Sequence, residues 1–387
     1  MNELVKPAAR PLNPRFSSGP CTKHPGHSLD NLSRAFLGRS HRATQGKARL
    51  ADAIDRTARL LELPEDYRVA IVPASDTGAM EMALWSLLGP RGVDMLSWET
   101  FGKTWAIDVV KQLKLKDVRI LEAGYGELSD LAAVDFTRDV VFTWNGTTSG
   151  VRVPDGRWIA GDRDGLTICD ATSAAFSQAL DWPKLDATSF SWQKALGGEA
   201  AHGMLVLSPR AVERLESYTP PWPLPKIFRL TRDGKLMEEV FRGITINTPS
   251  MLCVEDWLDA LDWATSVGGL DALIARADAN TRVISEWAGK TQWVDFLAKV
   301  PSTRSSTSVC LKITEPSVAS LSQEAQRAFV GKMTGLLDAE GVAHDIAAHR
   351  DAPAGLRIWA GATVETADMQ ALMPWLDWAF ERAKSAT

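Results

Sequence analysis

The sequence RVAIVPASDTG, residues 68–78, places an apolar run directly before a small, polar turn. The run is typical of a buried β-strand, and a helical pattern continues from Thr77 to about Leu88. Unpaired backbone N–H groups at the start of a helix carry partial positive charge and favour a phosphate. Ser75 and Asp76 are therefore candidate phosphate-binding residues, although either side chain could simply cap the helix.

Strands and helices alternate on both sides of this unit. The sequence predicts an amphipathic helix at 46–63, a second strand and helix at 93–98 and 103–113, and further strands at 118–121, 140–144, 166–170, 187–192 and 204–208. Such alternation predicts an α/β fold with a large domain built on a mainly parallel sheet flanked by helices.

The pattern changes after about residue 250. Helical patterns cover 251–265 and 269–289, and one long helix around 251–289 is expected as the connector. They precede strands at 293–299, 307–314, 342–347 and 355–359, and helices at 322–339 and 366–383. We therefore expect an extended N-terminal arm (1–15), a large domain (16–260) and a smaller α+β domain (261–387).

Composition narrows the functional classes. The 387 residues include 43 basic and 48 acidic side chains, a net charge of −5, which does not favour nucleic-acid binding. No apolar run reaches about 18 residues and no signal-like segment is present, so we expect a cytoplasmic protein without a membrane partner. Four scattered cysteines and six histidines without HxH or HExxH spacing give no reason to expect disulfides or a metal site.

Two residues follow predicted strands. Lys194 lies in the small-residue loop of FSWQKALGG, residues 190–198. Partial desolvation there would lower its pKa and suit Schiff-base chemistry, although an ordinary surface lysine is the alternative. Asp170 ends the apolar strand LTIC and points to the edge where α/β sheets bind ligands. It could pair with a protonated pyridine nitrogen or cap the following segment.

The order of phosphate turn, strand-end Asp and strand-end Lys resembles the fold-type-I aminotransferases that use pyridoxal 5′-phosphate (PLP). Within them, the chain is similar to the phosphoserine aminotransferase family of the class-V branch. The supporting motifs are Phe16–Pro20 (FSSGP), Ser40–Arg42 (SHR), Asn145–Gly150 (NGTTSG), Gln193-Lys194, Asn247–Ser250 (NTPS), His349-Arg350 and Arg357.

The resemblance implies one PLP per subunit, held as a Schiff base by Lys194, with Asp170 at the pyridine nitrogen. Trp105 would stack on the ring and Thr147 would contact the ring oxygen. The cofactor phosphate would be bound by Ser75, Asp76 and Gln193, and by Asn247 and Thr248 of the neighbouring subunit in a homodimer.

The same resemblance implies the substrates: L-glutamate and 3-phosphohydroxypyruvate, giving 2-oxoglutarate and O-phospho-L-serine for serine biosynthesis. It also implies action on a phosphorylated hydroxythreonine precursor of vitamin B6. Arg357 would bind the α-carboxylate. The substrate phosphate or the distal carboxylate of glutamate would be bound by His41, Arg42, His349 and Arg350. Arginine suits both anions because its fork of donors matches them.

Two alternatives stay open at this point. Another class-V enzyme, such as an alanine–glyoxylate or serine–glyoxylate aminotransferase, would not need the second cationic pocket. A binding protein on a degenerate aminotransferase scaffold would not need both Lys194 and Asp170.

The chain also departs from the family pattern. Asp76 stands where many members have arginine, so we expect its backbone N–H to contact phosphate while its side chain caps the helix. The spacing from His349 to Arg357 is one residue longer than in the common pattern. Cys310 lies in a strand-like run, where a buried, unreactive thiol is expected.

Overall fold

The computed structural model describes residues 5–385, so the first four residues of the predicted arm lie outside the described residues. The strands are β1 (Arg68–Pro73), β2 (Val93–Ser97), β3 (Val118–Glu122), β4 (Asp139–Thr143), β5 (Asn145–Gly146), β6 (Val151–Arg152), β7 (Thr167–Asp170), β8 (Ala187–Ser191), β9 (His202–Leu207), β10 (Thr231–Arg232), β11 (Lys235–Leu236), β12 (Val294–Phe296), β13 (Ser308–Ile313) and β14 (Leu356–Trp359).

Helices cover both faces of the main sheet and build much of the C-terminal region. They are α1 (Thr44–Leu60), α2 (Ser75–Leu87), α3 (Thr100–Ile107), α4 (Pro209–Ser217), α5 (Met251–Ser266), α6 (Gly269–Ala288), α7 (Pro316–Ala319), α8 (Gln323–Ala339) and α9 (Thr366–Ser385). A π-helical turn, Asp108–Gln112, extends α3 and accounts for the longer helix expected there.

The main sheet has seven strands in the order β1-β9-β8-β7-β4-β2-β3. The pairs β2–β3, β2–β4, β4–β7 and β7–β8 are parallel, whereas β9 is antiparallel to both neighbours, β1 and β8. Six of the seven strands therefore run in one direction, and their carboxyl ends meet at one edge. This confirms the predicted mainly parallel α/β sheet.

Both faces of this sheet are buried, as expected of a largely parallel sheet. Val69 and Ile71 of β1 contribute to one apolar core, which also includes side chains of α1 and α5. Ala70 and Val72 alternate with them and contribute to a second core with α2. Ile71 is only 1% exposed, so truncation to Ala would cost about 2–5 kcal/mol of stability.

The C-terminal region holds a three-stranded antiparallel sheet, β12-β13-β14, packed with α6, α8 and α9. The end of the N-terminal arm lies against it. Arg15 forms a β-bridge with His344, and the carbonyl of Phe16 accepts from the Trp359 N–H at 2.9 Å.

Two local predictions were wrong. The expected connector over 251–289 is two helices, because Gly268 and Gly269 adopt φ angles of 113° and 74° that break the run. Residues 342–347 form no strand, only isolated bridges at His344 and Ala347.

The expected domain boundary at residue 260 falls within α5. No helix in the described part of the chain is both long and apolar enough to cross a lipid bilayer.

Candidate active site

A cavity of about 340 Å³ opens at the edge where the six co-directional strands end. Its volume lies in the range of about 300–1,000 Å³ that is usual for small-molecule sites. Seven of the predicted site residues line it: Ser75, Asp76, Trp105, Thr147, Asp170, Gln193 and Lys194. The polypeptide thus brings turns after β1, β4 and β8 together with the last residue of β7.

Lys194 is 8% exposed, and its Nζ donates to the carbonyl oxygen of Ser18. Burial lowers the pKa of its ammonium group, and the nearby charge of Arg357 acts in the same direction. Both effects favour the neutral amine, the form that attacks a carbonyl. A Cβ at Gly19 would lie 2.3 Å from Nζ, and Gly19 has a φ of 148°, so glycine leaves room for this amine.

Asp170 is 4% exposed and held from two sides. Its Oδ2 accepts from the Trp105 indole N–H at 3.1 Å, and its Oδ1 accepts from the Thr172 backbone N–H at 3.0 Å. Burial raises the pKa of this carboxyl, while these hydrogen bonds oppose the rise. Trp105 is consequently a positioning partner of Asp170 as well as a wall of the cavity.

Asp76 lies beside Asp170 and does not cap α2. The cap position is Ala74, which makes no side-chain capping bond, so the expected Asp76 cap was wrong. Its Oδ1 is buried without a hydrogen-bond partner among the described residues. Burial first, and the negative charge of Asp170 second, raise the pKa of Asp76 well above its ordinary value. A neutral Asp76 is compatible with a nearby phosphate, whereas an ionised one would repel it.

The backbone of the turn that leads into α2 is strained and tightly packed. Ala74 and Ser75 have φ angles of 66° and 53°, an unfavourable conformation for non-glycine residues that persists only where the surrounding structure fixes it. A Cβ at Gly78 would lie only 2.1 Å from the carbonyl oxygen of Pro73, so glycine is required there.

Thr147 and Gln193 complete the predicted cofactor set within this chain. The Thr147 hydroxyl donates to Ser173 Oγ at 2.8 Å, and its carbonyl accepts from Ser308 Oγ at 2.6 Å. The side-chain oxygen of Gln193 is buried without a partner in the described chain.

These residues fit PLP. The amine of Lys194, the carboxyl of Asp170 and the indole of Trp105 line the same cavity as the helix start at Ser75. The PLP aldehyde would react with the Lys194 amine, and the pyridine nitrogen would pair with the Asp170 carboxyl. The ring face would contact the Trp105 indole, and the phosphate would bind at the helix start at Ser75.

The predicted substrate-binding residues divide into two groups. His349 lies near the cavity, with its ring centroid 6.1 Å from that of cavity-lining Phe101, and burial together with the charge of Arg357 lowers its pKa. Arg357 is half-buried on β14 and its Nε has no partner among residues 5–385. Neither His349 nor Arg357 lines the cavity itself, and neither do the other predicted residues of this chain: His41, Arg42 and Arg350, together with the predicted cofactor ligands Asn247 and Thr248.

Glu99 was missed by the sequence reasoning. It is 4% exposed and directly follows β2 at the same sheet edge. It accepts from the Gly102 N–H at 2.9 Å and from Thr148 Oγ1 at 2.7 Å. Its position after a buried strand was the available signal.

Cys310 is buried in β13, and burial raises the pKa of its thiol to about 12, as expected of an unreactive cysteine.

Comparisons with known proteins bear on the chain as a whole. No family model matches the chain. The phosphoserine aminotransferase of Methanosarcina mazei is 59% identical over 380 residues, which cover 98% of this chain and 100% of that protein. The phosphoserine aminotransferase of Methanosarcina barkeri shows the same identity and coverage.

Solved structures share the fold at lower identity. A phosphoserine aminotransferase from Cytophaga hutchinsonii has a TM-score of 0.80 at 20% identity, covering 95% of this chain and 99% of that one. The pyridoxamine-pyruvate aminotransferase of Mesorhizobium loti has a TM-score of 0.79 at 20% identity, covering 98% and 94%. The fold therefore does not separate these activities, whereas the full-length identity to the Methanosarcina proteins does. On that identity, the chain belongs to the phosphoserine aminotransferase family of PLP-dependent transaminases.

Proposed function

We propose that this chain transfers an amino group reversibly between L-glutamate and 3-phosphohydroxypyruvate, giving 2-oxoglutarate and O-phospho-L-serine. The observation that carries the proposal is that buried Lys194 and Asp170 line the same cavity, in a chain 59% identical over its length to phosphoserine aminotransferases. The same identity favours this activity over a glyoxylate-type aminotransferase.

PLP, when bound, supplies an electron sink for the carbanion formed at the substrate Cα. Lys194 contributes a neutral amine that binds the cofactor aldehyde and afterwards carries a proton at Nζ. The carboxylate of Asp170 holds a proton on the pyridine nitrogen, and the Trp105 indole N–H keeps that carboxylate in place. Thr147 contacts the ring oxygen.

The phosphate of the cofactor is bound by Ser75, Asp76 and Gln193. The helix start provides positive potential, and the raised pKa of Asp76 removes a charge that would oppose the anion. Gln193 lines the same cavity, and the N–H groups of its side-chain amide would donate to the phosphate. Within this group, Asp76 contributes as a neutral carboxyl.

Substrate recognition requires a cation at each end of a molecule that has an anionic group at both ends. Arg357 would bind the α-carboxylate; its unpaired Nε and the effect of its charge on the pKa of Lys194 support this role. His349 lies beside the cavity on the side of Phe101. With Arg350, His41 and Arg42 it would bind the phosphate or the distal carboxylate.

The remaining predicted residues support a homodimer. His41 and Asn247 are half-buried, whereas Arg42 and Thr248 are exposed, and none of these four lines the cavity of its own chain. A neighbouring subunit that receives Asn247 and Thr248 at its phosphate site accounts for this placement. We also propose a cytoplasmic location and the three-part division into residues 1–15, 16–260 and 261–387.

The test is a turnover assay of the PLP-loaded enzyme with 2-oxoglutarate and one amino donor: phosphoserine, serine or alanine. We expect glutamate to form with phosphoserine at a kcat/KM at least about 100-fold above that for serine, since the distal phosphate contributes charge-assisted hydrogen bonds. Equal turnover of serine or alanine would move the function to a glyoxylate-type aminotransferase.

A further inference from the structure

A second group of titratable side chains lies outside the cavity. His24 and His27 follow the FSSGP segment, and Asp259 lies on α5. Asp259 Oδ2 is 2.8 Å from His24 Nε2 and 2.9 Å from His27 Nδ1. All three potential ligand atoms lie within 4.8 Å of one another. Two imidazoles and one carboxylate therefore converge on a single point.

The hydrogen bonds of His24 show that a cation is needed there. His24 Nδ1 lies 2.9 Å from the carbonyl oxygen of Pro25, which can only accept, so Nδ1 carries the proton. In a neutral imidazole, Nε2 then presents a lone pair to an Asp259 oxygen only 2.8 Å away. Two acceptors cannot face each other at that distance unless a proton or a metal ion lies between them. A carbonyl on the second ring nitrogen is also the usual partner of a metal-binding histidine.

The ion pairs of the aspartates on α5 also indicate a cation at Asp259. Asp256, Asp259 and Asp262 recur every three residues and share one side of the helix. Asp256 is paired with Lys23, and Asp262 with Arg56. Within residues 5–385, Asp259 has no ion pair with lysine or arginine and contacts only the two histidines and the Asn31 amide. It is the carboxylate of the three without a permanent positive partner.

We propose that His24 Nε2, His27 Nδ1 and Asp259 Oδ2 bind one Zn²⁺ ion, with water in the fourth position. Ligand atoms about 2.0–2.1 Å from zinc in a tetrahedron lie about 3.3 Å apart, so the two contacts need to open by about 0.5 Å. The Asn31 amide, which donates to Asp259 Oδ1 at 3.0 Å, orients the carboxylate. Stacking of His24 on Trp263, with centroids 5.4 Å apart, fixes one imidazole.

The ion would join the segment 24–31, which begins four residues after cavity-lining Pro20, to α5. The spacing of the two histidines, three residues apart, was visible in the sequence. The third ligand was not, because it lies 232 residues after His27.

The test uses untagged, PLP-loaded enzyme that has been dialysed against a chelator and then titrated with ZnCl₂ in competition with a chromogenic zinc indicator. The wild type is expected to bind one Zn²⁺ per chain and to show a higher melting temperature with the metal than without it. His27→Ala and Asp259→Asn each remove one ligand and should weaken zinc binding by at least about 100-fold.

His344→Ala is the matched control, because His344 contacts one carboxylate, Asp338, without a second imidazole. It should bind zinc like the wild type. Circular dichroism and transaminase activity without zinc show whether His27→Ala and Asp259→Asn have folded. Absence of stoichiometric binding by the wild type would show that only a proton bridges the cluster. Binding by His27→Ala as tight as that of the wild type would place the metal elsewhere, and either result overturns the proposal.

Discussion

Buried carboxyl groups at the two ends of the main sheet differ in whether they form ion pairs. Near the amino ends of the strands, Asp94, Asp139 and Asp186 are at most 1% exposed. Each forms an ion pair with an arginine: Arg138, Arg214 and Arg163, respectively.

At the carboxyl ends, Asp76 and Asp170 are also buried, yet neither forms an ion pair with a lysine or arginine within residues 5–385. Burial raises the pKa of both carboxyls and lowers the pKa of Lys194. Paired buried charges maintain the fold, whereas unpaired ones at the other edge are available to a ligand. The difference separates structural from functional carboxylates in one sheet.

The largest expected effect on activity follows from removing the side-chain amine of Lys194. Lys194→Ala should lower transaminase activity by more than about 10⁴-fold, because both the cofactor linkage and the proton carrier are lost. Steady-state assays with phosphoserine and 2-oxoglutarate measure it. Activity within tenfold of the wild type would show that another group does this chemistry.

Removing Arg163, near the amino ends of the strands, should lower stability rather than activity. Arg163→Ala removes the bidentate partner of buried Asp186, which keeps only its ion pair with Arg210, and should cost about 1.5–3 kcal/mol of unfolding free energy. Urea denaturation of the variant gives the value, and kcat of the folded enzyme should be unchanged. Arg157, 89% exposed in its pair with Asp155, is the control, and Arg157→Ala should have no measurable effect.

Asp170→Asn keeps the shape of the site but removes the negative charge that holds a proton on the pyridine nitrogen. We expect kcat to fall by about 10²–10³-fold, the usual cost of losing one preorganised electrostatic group. The unfolding free energy should not decrease, since a buried unpaired charge is lost. A stability loss as large as that of Arg163→Ala would assign Asp170 to the structural class.

The smallest effect is a pH dependence of stability. The pKa of Lys194 is lowered from 10.5 in the folded protein, so between the folded and unfolded values the unfolded chain binds more protons. The stability contributed at this position therefore increases with pH in that window. In PLP-free protein, Lys194→Met should be stabilising at neutral pH, and the gain should shrink toward pH 10.5. Denaturation midpoints across this range test the trend, and a gain that grows with pH would contradict it.

Much of the fold was predictable because buried strands leave continuous apolar runs. The predicted strand Arg68–Pro73 matches β1 at both ends. Four cavity residues followed from their positions at or after strand ends: Ser75, Asp76, Asp170 and Lys194. The family resemblance implied the other three, Trp105, Thr147 and Gln193. The break at Gly268 was missed because glycines within a helical pattern do not reveal their φ angles. The strand expected at 342–347 is absent, since the segment contacts the N-terminal arm through Arg15 only at His344.

The proximity of Arg357 and His349 to Lys194 was implied by resemblance and could not be derived from spacing. It depends on how the C-terminal sheet lies against the main one, with Cys310 of β13 paired to Arg357 and close to the Thr147 carbonyl. The raised pKa of Asp76 likewise depends on burial and on the nearby charge of Asp170, which no local pattern encodes.

The most direct test of the site is to reduce the PLP-loaded enzyme with borohydride and to map the modified peptide by mass spectrometry. Reduction fixes the cofactor to the amine that holds it. The account predicts one pyridoxyl group per chain, on Lys194 within the peptide that contains Ser191–Gly198. A pyridoxyl group on any other lysine, with Lys194 unmodified, would contradict it.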